Sequence, residues 1–152
     1  MQLQLHKALI FANQSFKTKE EILSFMADKL HENGYVKESY KENIISRENE
    51  YPTGLNSESP KVAIPHTDYI HVNNSTLGFI SLAEEVMFSN MENPDEEIPI
   101  KIVIVMALNN PEGQLEMLQK IMGIVQENEL KERILLASSN EELFTVVNGI
   151  FN

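Results

Sequence analysis

Few side chains in this sequence can carry covalent chemistry. There are four histidines and no cysteine, which removes disulfides, thiolate metal sites and thiol nucleophiles together. Among the histidines, His66 has the most constrained setting. It follows Val62-Ala63-Ile64-Pro65, which reads as a short strand, and a residue at a strand end points from a rigid frame into a loop-built site. Pro65 fixes its own φ and biases Ile64 toward an extended conformation, so the imidazole is presented with little backbone freedom. The plainer alternative is a strand-end histidine bonded to a backbone carbonyl. On these features alone both readings stand.

The other histidines are read as solvated or incidental: His6 in an irregular lead-in, His31 on a polar helix face, and His71 in the polar stretch Tyr69-Ile70-His71-Val72-Asn73-Asn74. His66, Asp68 and His71 together offer two imidazoles and a carboxylate, and a metal-dependent hydrolase built on them is one alternative. Zinc spacings usually put ligands on a helix or add a cysteine pair, and neither pattern occurs here. There is no nucleophile elbow, no phosphate-binding P-loop and no dinucleotide fingerprint. Direct use of ATP or NAD is disfavoured, and no cofactor is called for. Gly54 is read as a turn glycine.

The elements that must hold these residues can be traced along the chain. Residues 3–11 are apolar and short, a strand or an irregular lead-in. Thr18 with Glu21 forms a capping box ahead of Ile22, Phe25, Met26 and Leu30, and Gly34 supplies a left-handed stop. A second helix is expected from Glu38 to Arg47, with Tyr40 and Ile44 inward, and residues 48–60 read as a loop. Residues 76–82 and 98–108 are β-branched and apolar, as strands covered on both faces would be. The acidic residues 87–97 between them read as a loop, with a short edge strand near Val86 to Phe88. Asn110-Pro111 opens a helix whose buried stripe is expected to be Leu115, Leu118, Ile121, Met122 and Val125. Helices are expected over 129–137 and 139–150, the last capped by Ser139 and Glu142. Helices and strands intermix, so the fold class is α/β with a layered mixed sheet.

The 152 residues fit one compact domain, able to bury roughly 70% of the surface of the unfolded chain. No apolar run approaches the roughly 20 residues of a membrane span. The start of the chain lacks the pattern of a signal peptide, so a cytoplasmic location is expected. The formal net charge of -11 argues against nucleic acid, whose phosphates attract a surplus of Lys and Arg. It favours a partner carrying positive charge.

Two segments taken together resemble a known signature. Arg47-Glu48-Asn49-Glu50-Tyr51-Pro52-Thr53-Gly54-Leu55, then Val62-Ala63-Ile64-Pro65-His66-Thr67, resemble the fructose/mannitol-type (type 2) enzyme IIA domain of the bacterial phosphoenolpyruvate-dependent sugar phosphotransferase system. The resemblance extends over nearly the whole chain, so residues 1–152 are read as one such domain. It implies a mixed sheet flanked by helices and a phosphorylated nucleophile, His66. That histidine would accept phosphate from the phosphocarrier HPr and donate it to a IIB component, which serves a membrane IIC component. It assigns Arg47 to the site as well. The usual second histidine is replaced here by Gln114, in which respect galactitol-like members are more similar. Without cysteine, the thiol acceptor of the next step cannot lie in this chain.

For phosphoryl transfer, catalysis is mostly positioning and charge stabilisation. Arg47 offers a planar fork suited to phosphate; its plain alternative is a cation at a helix C-terminus. The Thr53 hydroxyl and the Gly54 backbone are expected to add hydrogen bonds if their loop folds over His66. Gln114 would donate from a helix start or be merely solvated. A different class of function is a regulatory IIA-like protein, phosphorylated at His66 but signalling by docking. The Tyr51-to-Leu55 loop favours the transport branch.

Overall fold

In the computed structural model, which describes residues 3–151, the long apolar run becomes the middle of a five-stranded mixed sheet. This central strand, β5 (Glu97–Ala107), pairs antiparallel with β4 (Thr76–Ser89) and parallel with β3 (Val62–Ala63). At the edges, β1 (Ile10–Gln14) lies parallel to β4, and β2 (Gly54–Leu55) antiparallel to β3. The order is β1-β4-β5-β3-β2. Side chains alternate between the faces of a strand, and β5 follows this closely. Ile102, Ile104 and Met106 enter one core, while Val103, Val105 and Ala107 enter the other.

Helices cover both cores, as the fold class expected. Over one face lie α1 (Lys19–Glu32) and α2 (Tyr40–Glu50), contributing Ile22, Met26, Leu30, Tyr40 and Ile44. Over the other lie α3 (Pro111–Val125), α4 (Asn128–Leu136) and α5 (Asn140–Phe151), contributing Met117, Ile121, Ile134, Leu143 and Val147. Burying each such aliphatic side chain contributes roughly 1.5–3 kcal/mol against the entropy of ordering the chain.

The helix signals are largely realised. The Thr18 hydroxyl accepts the Glu21 N–H at 3.2 Å, Gly34 turns the chain at φ +80°, and the Asn110 side chain caps α3 by accepting the Gly113 N–H. The capping box closes on one side only: the Glu21 carboxylate accepts from the Lys17 N–H, not from Thr18. The Ser139 hydroxyl accepts the Glu142 N–H at 3.1 Å ahead of α5.

The lead-in contains both expected forms, a 3-10 turn at Lys7–Leu9 and then strand β1. Three expectations need correction. Helix α2 starts at Tyr40 and continues to Glu50, so Glu48 is helical. Strand β4 runs on through the expected 86–88 edge strand to Ser89, its register shifting between Ser81 and Val86. That shift carries Ala83, Glu84 and Glu85 at the surface while pairing resumes beyond them. In α3, Leu115 is 60% exposed and Met122 is at the surface, whereas Gly113, Met117, Ile121, Ile124 and Val125 are buried. Two apolar stripes run side by side on this helix, and the sheet takes the one containing Met117. Of the six described methionines, Met26, Met106 and Met117 are buried, while Met87, Met91 and Met122 are surface-exposed.

Candidate active site

Strand β3 is only two residues long because the chain leaves the sheet at Ile64-Pro65. It is held there by the sheet itself. The Met106 N–H donates to the Pro65 carbonyl at 3.0 Å, and His66 bridges Met106 in parallel register. The other backbone group of Met106 is also fixed, since the buried Tyr40 hydroxyl donates to the Met106 carbonyl at 3.0 Å. His66 therefore sits on a frame built from β5 and α2.

The imidazole is partly buried, and its Nδ1 lies 2.9 Å from the Ile64 carbonyl. A carbonyl can only accept, so Nδ1 carries the hydrogen and Nε2 carries the lone pair. Burial lowers the His66 pKa below the ordinary histidine value; the Ile64 bond raises it, the Arg47 charge lowers it, and Asp68 raises it. The net direction is downward, so the ring is neutral near pH 7, as a nitrogen nucleophile must be.

Arg47 lies in the last turn of α2. One guanidinium nitrogen, Nη1, is 3.7 Å from the Asp68 carboxylate, and the guanidinium lies 5.5 Å from the centre of the Tyr51 ring. Its Nε is buried with no hydrogen-bond partner. A small cavity of about 150 Å³ opens beside it, lined by Ser46, Arg47, Tyr51, Thr67 and Asp68 among others. A larger hollow of about 530 Å³, lined by Lys61, Glu84, Glu85 and Lys101 among others, contains none of these residues.

Gln114 approaches from the opposite layer. Its Nε2 donates to the Thr67 carbonyl at 3.1 Å, which steadies the backbone directly after His66. Thr53 does something different from the expectation that its hydroxyl is free for a ligand. Both its donors are engaged by Glu48, the N–H at 2.8 Å and the hydroxyl at 2.7 Å. Gly54 is in β2, and its carbonyl accepts the Met91 N–H at 2.8 Å. It must be glycine for packing: a Cβ there would meet the Ser89 carbonyl oxygen at 2.6 Å.

Two site residues escaped the sequence reading. Glu48 is 1% exposed, and burial pushes its carboxyl up to about 7 against the opposing Thr53 bonds. The spacing Tyr40-Ile44-Glu48 held the clue, since it puts an acid on the inward face of α2. Tyr40 was read only as core. His71 turns away from any ligand set, its Nδ1 sharing a 2.8 Å hydrogen bond with the Ser39 hydroxyl. His6 Nδ1 accepts the Ala8 N–H. Among the described residues no three His, Asp or Glu side chains are grouped to hold a metal, and none of the described helices is long and apolar enough to cross a membrane.

Residues 3–149 match the family model for the phosphoenolpyruvate-dependent sugar phosphotransferase system, EIIA 2. The chain is 28% identical over 133 residues to the galactitol-specific EIIA component of Escherichia coli K12, covering 86% of this chain and 88% of the relative. It is 30% identical over 152 residues to the mannitol-specific IIA component of Bacillus subtilis 168, covering 96% of this chain and 97% of the relative. In fold it is similar to the crystal structure of mannitol IIA from Escherichia coli, with a TM-score of 0.77 at 23% identity over 95% of this chain and 99% of that one. The chain belongs to the EIIA type 2 family of the phosphoenolpyruvate-dependent sugar phosphotransferase system, and its role is that of a phosphocarrier in such a system.

Proposed function

We propose that His66 is the residue that carries the phosphoryl group, taken from HPr on Nε2 and passed to a separate IIB component that serves a membrane IIC component. The observation that carries this reading is the bond from His66 Nδ1–H to the Ile64 carbonyl, which leaves Nε2 as the only ring nitrogen with a lone pair. In the transfer, the Nε2 lone pair forms the bond to phosphorus as the bond to the donor breaks, and the electron pair of that bond stays with the donor. The ring keeps its Nδ1 hydrogen and gains positive character, which the Ile64 carbonyl dipole stabilises. When the phosphoryl leaves for IIB, the same ring departs as a neutral imidazole.

Arg47 supplies charge to the equatorial oxygens, and its unpartnered Nε is a donor waiting for an acceptor. Gln114 supports the ring by holding the Thr67 carbonyl, a place that needs a donor and no charge. Thr53 and Gly54 support it by fixing the loop before β3. Galactitol and mannitol, named for two relatives, make a hexitol the sugar class to try first, and the cytoplasm is where HPr would be met.

Incubation with phosphoenolpyruvate, enzyme I and HPr should label one site, with the acid-labile and alkali-stable behaviour of a phosphoimidazole. His66→Ala should take up no label. Wild-type labelling of that variant, or label that survives acid, would overturn the assignment.

A further inference from the structure

One buried ionisable group in the site has no part in the transfer just described. Glu48 follows Arg47 on the inward face of α2, where Tyr40 and Ile44 precede it in the core. A carboxyl is costly in such a place unless its oxygens are well bonded. Both are: they accept the N–H and hydroxyl of Thr53 at 2.8 and 2.7 Å. The connection continues from there. The Thr53 carbonyl accepts the Ile64 N–H at 3.2 Å, and the Ile64 carbonyl accepts Nδ1–H of His66 at 2.9 Å. Four residues from α2, the β2 loop and the end of β3 are thus joined in series, ending on the ring nitrogen opposite the reactive one.

We infer that Glu48 is a positioning residue for His66: by anchoring Thr53 it holds the Ile64 peptide, so that the Ile64 carbonyl keeps the ring proton on Nδ1 and the lone pair on Nε2. Partners that orient a reactive histidine through its second nitrogen commonly set its tautomer. Here the partner is a backbone carbonyl, which cannot itself be mutated, so the side chain that places it becomes the point of control. A carboxyl that merely tied down a loop would affect stability and leave the ring alone.

The test reads the ring directly. Nitrogen-15 NMR of the unphosphorylated full chain reports the His66 tautomer, and single-turnover transfer from phosphorylated HPr reports the rate. Glu48→Gln retains an acceptor for the Thr53 N–H and a donor for its hydroxyl, so it should show the Nδ1–H tautomer and a rate within about two-fold of wild type. Glu48→Leu fills the space without an acceptor. It should show both tautomers and a saturating rate about ten-fold lower, in line with the loss of other histidine-orienting groups, while the half-saturating HPr concentration is unchanged. A folded Glu48→Leu with one tautomer and the wild-type rate would overturn the inference, as would a Glu48→Gln that behaves like Glu48→Leu. If Glu48→Leu does not fold, Thr53→Val decides: it removes one bond of the pair and should shift the ring the same way with a loss of about three-fold, and an unchanged ring and rate would overturn the inference. Only the rate rests on His66 being the phosphoryl acceptor. Failure of that reading would appear as an unlabelled wild type and leave the tautomer result standing.

Discussion

At the scale of single residues, the site is defined by what is left unpaired. Arg47 Nε is buried without an acceptor, a condition that costs about 1–3 kcal/mol in the free protein and that a phosphoryl oxygen would relieve under the proposed role. Arg47→Ala should therefore slow transfer on the order of 10²–10³, the usual loss for one donor to developing anionic charge, with little change in thermal stability. Arg47→Lys should recover only part of the rate, since an ammonium is a point charge without the planar fork. An unchanged single-turnover rate in Arg47→Ala would return the residue to a helix-end cation. Glu48 is the complementary case, an acid whose proton is favoured by the fold. Burial raises it from 4.5 to about 7, with Lys19 opposing the rise and Glu20 adding to it. The folded state then binds more protons than the unfolded chain across that interval. The stability Glu48 contributes is full below about pH 4.5 and is lost as pH rises through about 7. Glu48→Gln cannot ionise, so denaturant curves should show it gaining on wild type by on the order of 2–3 kcal/mol between pH 4.5 and 8. Parallel pH dependences would mean that Glu48 titrates normally.

At the scale of elements, the site depends on close approach between short strands. Gly54 lies against the Ser89 carbonyl, where a Cβ would be 2.6 Å from a backbone oxygen that cannot rotate away. Gly54→Ala should lower stability by about 1–3 kcal/mol and slow transfer as well, because it displaces Thr53. A melting temperature equal to wild type would show that β2 yields without cost. The same elements explain what could be read in advance. β5 was legible because both its faces are buried and its residues are β-branched. The full length of β4 was not, since Ala83-Glu84-Glu85 interrupt its pattern and only pairing with β5 carries the strand across them. The last turn of α2 looked like loop because Glu48-Asn49-Glu50 is polar, although Glu48 falls on the buried face. The place of His66 just beyond a short strand was legible through Pro65 and the residues before it, whereas its role rested on the resemblance. The partner of Thr53 was not, because a hydroxyl takes whichever acceptor the tertiary fold brings near, and neither was the bond from Gln114 to a carbonyl 47 residues earlier.

At the scale of the whole molecule, His66 lies where both helical layers reach the same end of the sheet: Arg47 comes from the α1–α2 side and Gln114 from the α3–α5 side. The chain as a whole carries a formal charge of -11, so a donor with a basic rim should be drawn toward it. The association rate with HPr should fall as ionic strength rises from 0.01 to 0.15 M and the Debye length shrinks from about 30 to about 8 Å. Stopped-flow mixing over that range is the check, and a flat rate would put the negative charge away from the docking face. The distribution of sulfur has a consequence of another kind. With no thiol in the chain, the sulfur a peroxide meets is thioether, and among the described residues the exposed methionines are Met87, Met91 and Met122. Met106, whose backbone steadies Pro65, keeps its sulfur in the core. Oxidation of the outer three would add a polar but uncharged oxygen, and treatment with mild peroxide should leave labelling of the chain from phosphorylated HPr unchanged.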